Sequence, residues 1–535
     1  MSARHLLPAL LLGALILRVQ GLDWDQGRML HPDEGNLLRA AAALGPGRWI
    51  PDFHAYNDLA LWLPKLAALP FCDSTSLSCL GPAARLLSAL FSALAVWAMA
   101  AIAGRLAGRG AMLATALIAA TSAPLIQWAH FGTTESALVL LVALLWLQAL
   151  RWQRGEIGNT GLALTSALLL GAGFGLKTAA LAAAAIPLAA LAVTRRPLRP
   201  ILRTLAWALP LTGLLALAVT PSLIFAPADW LAVMRFERGV VTGSIEVFWT
   251  RQFDGRTGPL FQLRQLWGAT AGAGLLLAAL GLLTAPRGTW RGLAPGLGFA
   301  LIYADLTFGW QAAFFRYLAP LFPAVLVLAG LGAAWLLASA SHSLRALGAV
   351  GLGLMALTSL DLAASYQASD PRLLAETALQ TRTTPDARLA IEPHDTGLSA
   401  GMATVPLPLE TADPAALAEA LAGADWMVIA SRRNWAVLPG HPAAPLACTY
   451  YAALAGGDLG WRRVASFHRA SPLHPLLEPR LGAEETRSVF DRPRVILLRN
   501  ETHLDPAALA ERLVAPTPAE ACTPKALAAA WGRAQ

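Results

Sequence analysis

A mainly helical, polytopic membrane fold of about eleven transmembrane helices, carrying an extracytoplasmic α/β domain at its C-terminal end, is what this sequence predicts. Three observations predict it. The 535 residues are 56% hydrophobic and only 14% charged, with a mean hydropathy of +0.52, whereas soluble domains carry roughly 25% charged residues. Basic residues of the first two thirds collect in short loops between apolar runs: Arg105 and Arg109; Arg151 and Arg154; Arg195, Arg196, Arg199 and Arg203; Arg287 and Arg291; Arg345. All four cysteines fall on the other side of the alternation those loops define.

The net charge of +8 and the pI of about 9.8 would suit a nucleic-acid partner if the charge formed one patch. Distributed over short loops it reads instead as a topology signal, because basic loops stay cytoplasmic. The N-terminus, Met1 to Arg4, is short and basic, and the apolar stretch Leu6 to Leu17 ends at Arg18 rather than at a small-residue cleavage site. It is read as a first span, the alternative being a removed signal peptide. Further apolar stretches near 83–104, 110–128, 135–151, 160–177, 178–194, 204–225, 265–284, 293–311, 317–338 and 344–366 complete the set.

With the N-terminus inside, every basic loop lies inside. The loops 23–81 and 227–264 and the tail 367–535 then lie outside, so residues 1–366 form the membrane domain and 367–535 a soluble one. The first outer loop contains amphipathic pieces, Glu34 to Leu44 and Asp58 to Leu69, expected as interfacial helices. In the tail, Arg388 to Ile391, Trp426 to Ala430 and Arg494 to Leu498 read as buried strands, and Pro414 to Leu421 as a helix after an Asp-Pro start. The part after about Asp505 is expected to be a loosely attached helical extension. Cys72, Cys79, Cys448 and Cys522 all lie outside, which fits two disulfides in an oxidising compartment, most simply Cys72 with Cys79 and Cys448 with Cys522. The alternative is four free thiols.

Candidate chemistry gathers on the outer side. Asp33 and Glu34, in His31-Pro32-Asp33-Glu34, are adjacent carboxylates just beyond the first span, where one could take the proton of an acceptor hydroxyl. The same residues also make a good helix start, with Pro32 first and acids in the first turn. Glu135 stands at the edge of an apolar helix, where a carboxylate is costly, or else serves as a favourable N-terminal charge. His130 reads as a satisfied interface histidine. Lys177 and Arg316-Tyr317 put cations on the outer side against the inside bias, suited to holding a phosphate or to snorkelling toward headgroups. Asp305 is either a helix-packing partner or part of a polar cavity. No Walker-type glycine loop, Cys/His zinc cluster or nucleophile elbow occurs.

His31-Pro32-Asp33-Glu34-Gly35 after a first span resembles the first-loop acidic motif of the GT-C superfamily of polyprenyl-phosphate-sugar-dependent glycosyltransferases, particularly bacterial relatives of protein O-mannosyltransferases and of the lipid A aminoarabinose transferase. Arg85 to Phe91 with Gly104 to Arg109, Phe131 to Glu135, Gly171 to Thr178 and Phe315 to Pro323 are similar to further segments of that superfamily in the same order. Asp370-Pro371-Arg372 and Phe490 to Val495 resemble segments of its outer domains. One departure is Glu135, where many members have Asp.

The resemblance implies an inverting transferase of the bacterial inner membrane. It would move a sugar from a polyprenyl-phosphate donor to a lipid, polysaccharide or protein hydroxyl on the outer face. Asp33 would act as base, Glu34 and Glu135 would orient the acceptor or a divalent metal ion, and Lys177, Arg316 and Tyr317 would hold the departing phosphate. Metal dependence varies among such enzymes and is left open. The rival class is a polytopic transporter or flippase, but the sequence has no convincing internal repeat, and its polar groups gather at one face rather than at midplane.

Overall fold

The computed structural model describes residues 5–194, 197–256, 258–395, 398–469 and 483–533; Met1 to Arg4 and the expected inner-loop Arg195 and Arg196 lie outside them. The chain forms two compact units. One contains Met1–Glu246 and Gly255–Gln367, the other Val247–Asp254 and the described residues from Ala368 onward. The outer loop expected over 227–264 is therefore shared between them.

In the first unit each of the eleven expected apolar stretches is helical. Among the described residues, six helices are long and apolar enough to cross a membrane. A seventh is added if Pro259–Ala269 and Ala273–Thr284, bent by 105°, form one crossing. The second and third expected spans are merged in Leu77–Ala120, where Ala107 and Gly108 leave helical geometry. Gly108 has φ +80°, a left-handed value that glycine adopts without a Cβ penalty, so the reversal falls beside Arg105 and Arg109. Thr178–Ala184 begins as a 3-10 turn before Ala185–Val193 continues as α-helix. Asp305 lies on the exposed side of Trp290–Phe308, so it is not a packed helix partner.

Two groups of residues mark opposite ends of this bundle. Glu135–Gln153 begins at Glu135 and ends beside Arg151, about 24 Å further on at 1.5 Å per residue. At the Arg151 end, Glu156 accepts from both Arg105 and Arg151. Asn159 there accepts from the Trp152 indole, so the helix Asn159–Leu176 runs back toward Lys177 at the Glu135 end. The loop arginines thus sit at one end and the candidate site at the other.

The second unit is a five-stranded sheet in the order β2-β1-β3-β5-β4. Its strands are β1 (Arg388–Ile391), β2 (Ala403–Pro406), β3 (Trp426–Ile429), β4 (Trp461–Phe467) and β5 (Val495–Asn500). β1 is parallel to β2 and β3, while β5 is antiparallel to β3 and β4. Asp413 caps the helix Pro414–Ala422 by accepting from the Ala415 N–H. Asp370 caps Pro371–Arg382 in the same way and pairs with Arg372, whose guanidinium also donates to Phe490 O at 2.6 Å. The two tail segments that resemble outer domains are thereby bonded to each other. The stretch after Asp505 is not loosely attached: Leu509, Leu513, Leu527 and Trp531 are buried in the core, because the helices Pro506–Leu513 and Pro524–Arg533 turn their apolar faces inward. Both expected disulfides are formed, with Cα atoms 6.0 Å apart for Cys72–Cys79 and 5.2 Å for Cys448–Cys522.

Candidate active site

The site is built on a buried ion cluster. Pro32–Ala42 starts as its sequence predicts, with Pro32 in the first position and the His31 ring accepting from the Glu34 N–H. That start turns Glu34 inward to 0% exposure. There Arg85 grips Glu34 through Nε and Nη2 at 2.8 and 2.7 Å, and Asp25 through Nη1 and Nη2 at 2.8 and 2.7 Å. Two carboxylates face one guanidinium, so further donors are needed. The Gly132 N–H supplies one to Glu34 at 2.7 Å, and the Leu30 and Gly27 N–H groups serve Asp25. Burial pushes the Asp25 carboxyl up, but Arg85 and these amides outweigh it and hold it below its usual range. Gly132 has no room for a side chain, since a Cβ would lie 2.8 Å from Glu34 Oε1 and 2.7 Å from the Ala84 methyl.

One residue before Glu34, Asp33 points the other way and forms an ion pair with Arg316, 283 positions along the chain. Both are partly open, at 25% and 17% exposure. Arg316 lies in the 3-10 turn Phe315–Leu321 that leads into Phe322–Leu337, and its Nε is buried without a hydrogen bond. The Tyr317 ring lies between cations: Arg316 Cζ is 5.6 Å and Lys177 Nζ 5.3 Å from its centroid. Lys177 also sits 5.6 Å from the Tyr56 ring, in the extended residue that ends Asn159–Leu176. Asn57 pins that helix end by donating to Phe174 O, and accepts from the Trp230 indole at 2.9 Å. Burial raises the Tyr56 hydroxyl well above its usual value, and Glu135, Tyr317 and Glu237 push the same way. Glu237, half-buried in Pro227–Thr242, is raised by burial and partly restored by Lys177.

Glu135 heads its helix at 3% exposure, its carboxylate without a hydrogen bond or ion pair to another described residue. The hydroxyls of Thr133, Thr134 and Ser136 around it are also buried without partners. Native interiors rarely leave so many polar atoms unmatched, so this corner of the site suits polar groups that the chain does not supply. His130 is the satisfied histidine its sequence suggested, with carbonyls of Ile126 and Gln20 at its two nitrogens and its ring stacked on Tyr366 at 3.7 Å.

The structure therefore brings Asp33, Arg316, Tyr317 and Lys177 together and sets Glu34 behind them against Arg85. Sequence reasoning missed Asp25, Tyr56 and Glu237 and gave Arg85 no role. An arginine just inside an apolar helix was the available signal for Arg85, since such a charge demands a partner. Among the described residues, no group of three or more His, Cys, Asp or Glu side chains is arranged to hold a metal ion.

No protein-family model and no curated protein matches the sequence. Among solved structures, the chain is similar to ArnT from Cupriavidus metallidurans, a lipid A aminoarabinose transferase. In the apo state that protein is 15% identical with a TM-score of 0.53, over 97% of this chain and 100% of that one. Bound to undecaprenyl phosphate it is 14% identical with a TM-score of 0.52, over 92% and 98%. The chain thus shares the fold of that transferase, with a small sheet in its C-terminal region.

Proposed function

We propose that this chain is a membrane glycosyltransferase of the inverting type, taking a sugar from a polyprenyl-phosphate donor on the outer face of a bacterial cell membrane. The observation that carries the reading is the meeting of Asp33 with Arg316 and Lys177 around Tyr317, a base and two phosphate-binding cations from three distant parts of the chain. The fold shared with a protein that binds undecaprenyl phosphate supports the donor class.

In the reaction the acceptor hydroxyl oxygen forms a bond to the anomeric carbon. The bond from that carbon to the phosphate oxygen breaks, and polyprenyl phosphate leaves. Asp33 takes the hydroxyl proton as the new bond forms. Arg316 and Lys177 stabilise the charge that grows on the departing phosphate, Arg316 through a planar fork and Lys177 as a point charge. Before the donor binds, Arg316 covers Asp33; a phosphate competing for the guanidinium would free the carboxylate when it is needed. Glu34 acts by position, fixing the helix start that carries Asp33 against Arg85 and Gly132. Glu135 and the hydroxyls beside it line the place where sugar or acceptor oxygens would bind. The C-terminal sheet domain is extracytoplasmic in this reading.

The test is purified protein given a labelled polyprenyl-phosphate sugar and a mixed envelope acceptor. Release of polyprenyl phosphate with transfer of label supports the reading. Passage of intact donor across a vesicle without release would replace it with a flippase.

A further inference from the structure

The sheet domain holds a cavity of about 120 Å3 that plays no part in the proposed transfer. Its walls are of two kinds. Trp435, Val489, Ile496, Ala528 and Trp531 make it apolar, and Arg432, Arg492 and Arg494 bring cations to it. Trp531 is 1% exposed, and its indole N–H has no hydrogen-bond partner. A buried donor left unmatched is costly, and at a cavity wall it is ready for an acceptor that enters.

Two arginines there lack a carboxylate partner among the described residues. Arg463 on β4 and Arg494 at the start of β5 both donate to the same acceptor, the carbonyl of Trp531. Arg494 has one further bond, to the Ser466 hydroxyl at 3.0 Å, and neither arginine pairs with a carboxylate among the described residues. Burial, with Arg463 beside it, lowers the Arg494 pKa, the sign of a cation wanting a counter-charge. Of the acids nearby, Glu485 lies 3.3 Å from Arg433, and Asp491 lies 3.5 Å from Arg492 on the cavity wall.

We propose that this cavity binds a small amphiphilic anion, a carboxylate or phosphate head held by Arg494 and the Trp531 N–H with an apolar ring or short chain against Trp435 and Ile496. The volume falls below the roughly 300 Å3 at which drug-sized pockets begin, which favours a small acid over an extended lipid. The site is independent of sugar transfer, so its failure and that of the proposed reaction are separable.

Binding is read by isothermal titration of the full chain in nanodiscs with benzoate, hexanoate, phenyl phosphate and inorganic phosphate. Either organic head should bind when attached to an apolar body, and the stronger of the carboxylate and phosphate arms identifies the head. Arg494→Gln should weaken binding by about tenfold or more, as expected for a hydrogen bond to a charged group, and Trp531→Phe by a smaller factor. Ala528→Leu keeps every polar group and fills the cavity, so it should abolish binding without unfolding the domain. No binding by any organic acid would overturn the proposal, as would affinity unchanged by Ala528→Leu. Inorganic phosphate binding as tightly as phenyl phosphate would overturn the amphiphile class.

Discussion

Replacing Arg85 with methionine should cost the membrane unit about 3–5 kcal/mol, the usual result of stripping one partner from a buried ion pair. Arg85 is 1% exposed and makes five hydrogen bonds: two to Glu34, two to Asp25 and one to Leu22 O, all between 2.7 and 2.8 Å. Methionine fills much of the same space, so little of the loss would come from a cavity. What remains is two carboxylates, both at 0% exposure, with backbone amides as their only support. The triple variant Arg85→Met, Asp25→Asn, Glu34→Gln removes all three charges together and should recover a large share of the loss. Denaturant unfolding in mixed micelles, followed by near-ultraviolet circular dichroism, reads both effects. A single variant within about 1 kcal/mol of wild type, or a triple variant no better than the single one, would refute the claim that an uncompensated charge is the cause.

Three other outcomes rest on the same geometry. Arg316→Ala should weaken donor binding as well as turnover, because a phosphate contact exists before the transition state and strengthens in it; donor titration beside single-turnover rates separates the two. Burial lifts Glu392 to about 8 despite hydrogen bonds from Tyr451 and Asn434, so the folded domain holds a proton there that the unfolded chain loses near 4.5. Stability from this group is full below about 4.5, falls as pH rises and is lost through about 8, and Glu392→Gln should flatten that slope in melting curves of the full chain between pH 5 and 9. Cys448→Ser should lower stability by roughly 2–4 kcal/mol, since it opens a loop of 74 residues, and non-reducing peptide mapping should recover the Cys448–Cys522 link from wild type.

Helices were legible because apolar length and loop arginines are local signals. The bent pair at 259–284 was not, because hydropathy records composition and not direction. β1, β3 and β5 were legible as short apolar runs. β2, with one buried residue in four, and β4, half-exposed, carry no such run and exist through pairing with their neighbours. In the site, Asp33 and Glu34 looked alike in sequence, and only the helix start separates them, sending one to Arg316 and the other to Arg85. Tyr56 and Glu237 gave no sequence signal, because their setting is created by Lys177 and Glu135, each more than 50 positions away.

The central claim is that Asp33 accepts the proton of the attacking hydroxyl, and the most direct measurement is single-turnover sugar transfer by Asp33→Asn. Asparagine keeps the size of the side chain and suits a helix start, so fold and donor binding should hold. Transfer should fall by about 10²–10⁴-fold, the usual contribution of a general base. A folded Asp33→Asn chain that binds donor and transfers sugar at close to the wild-type rate would contradict the account.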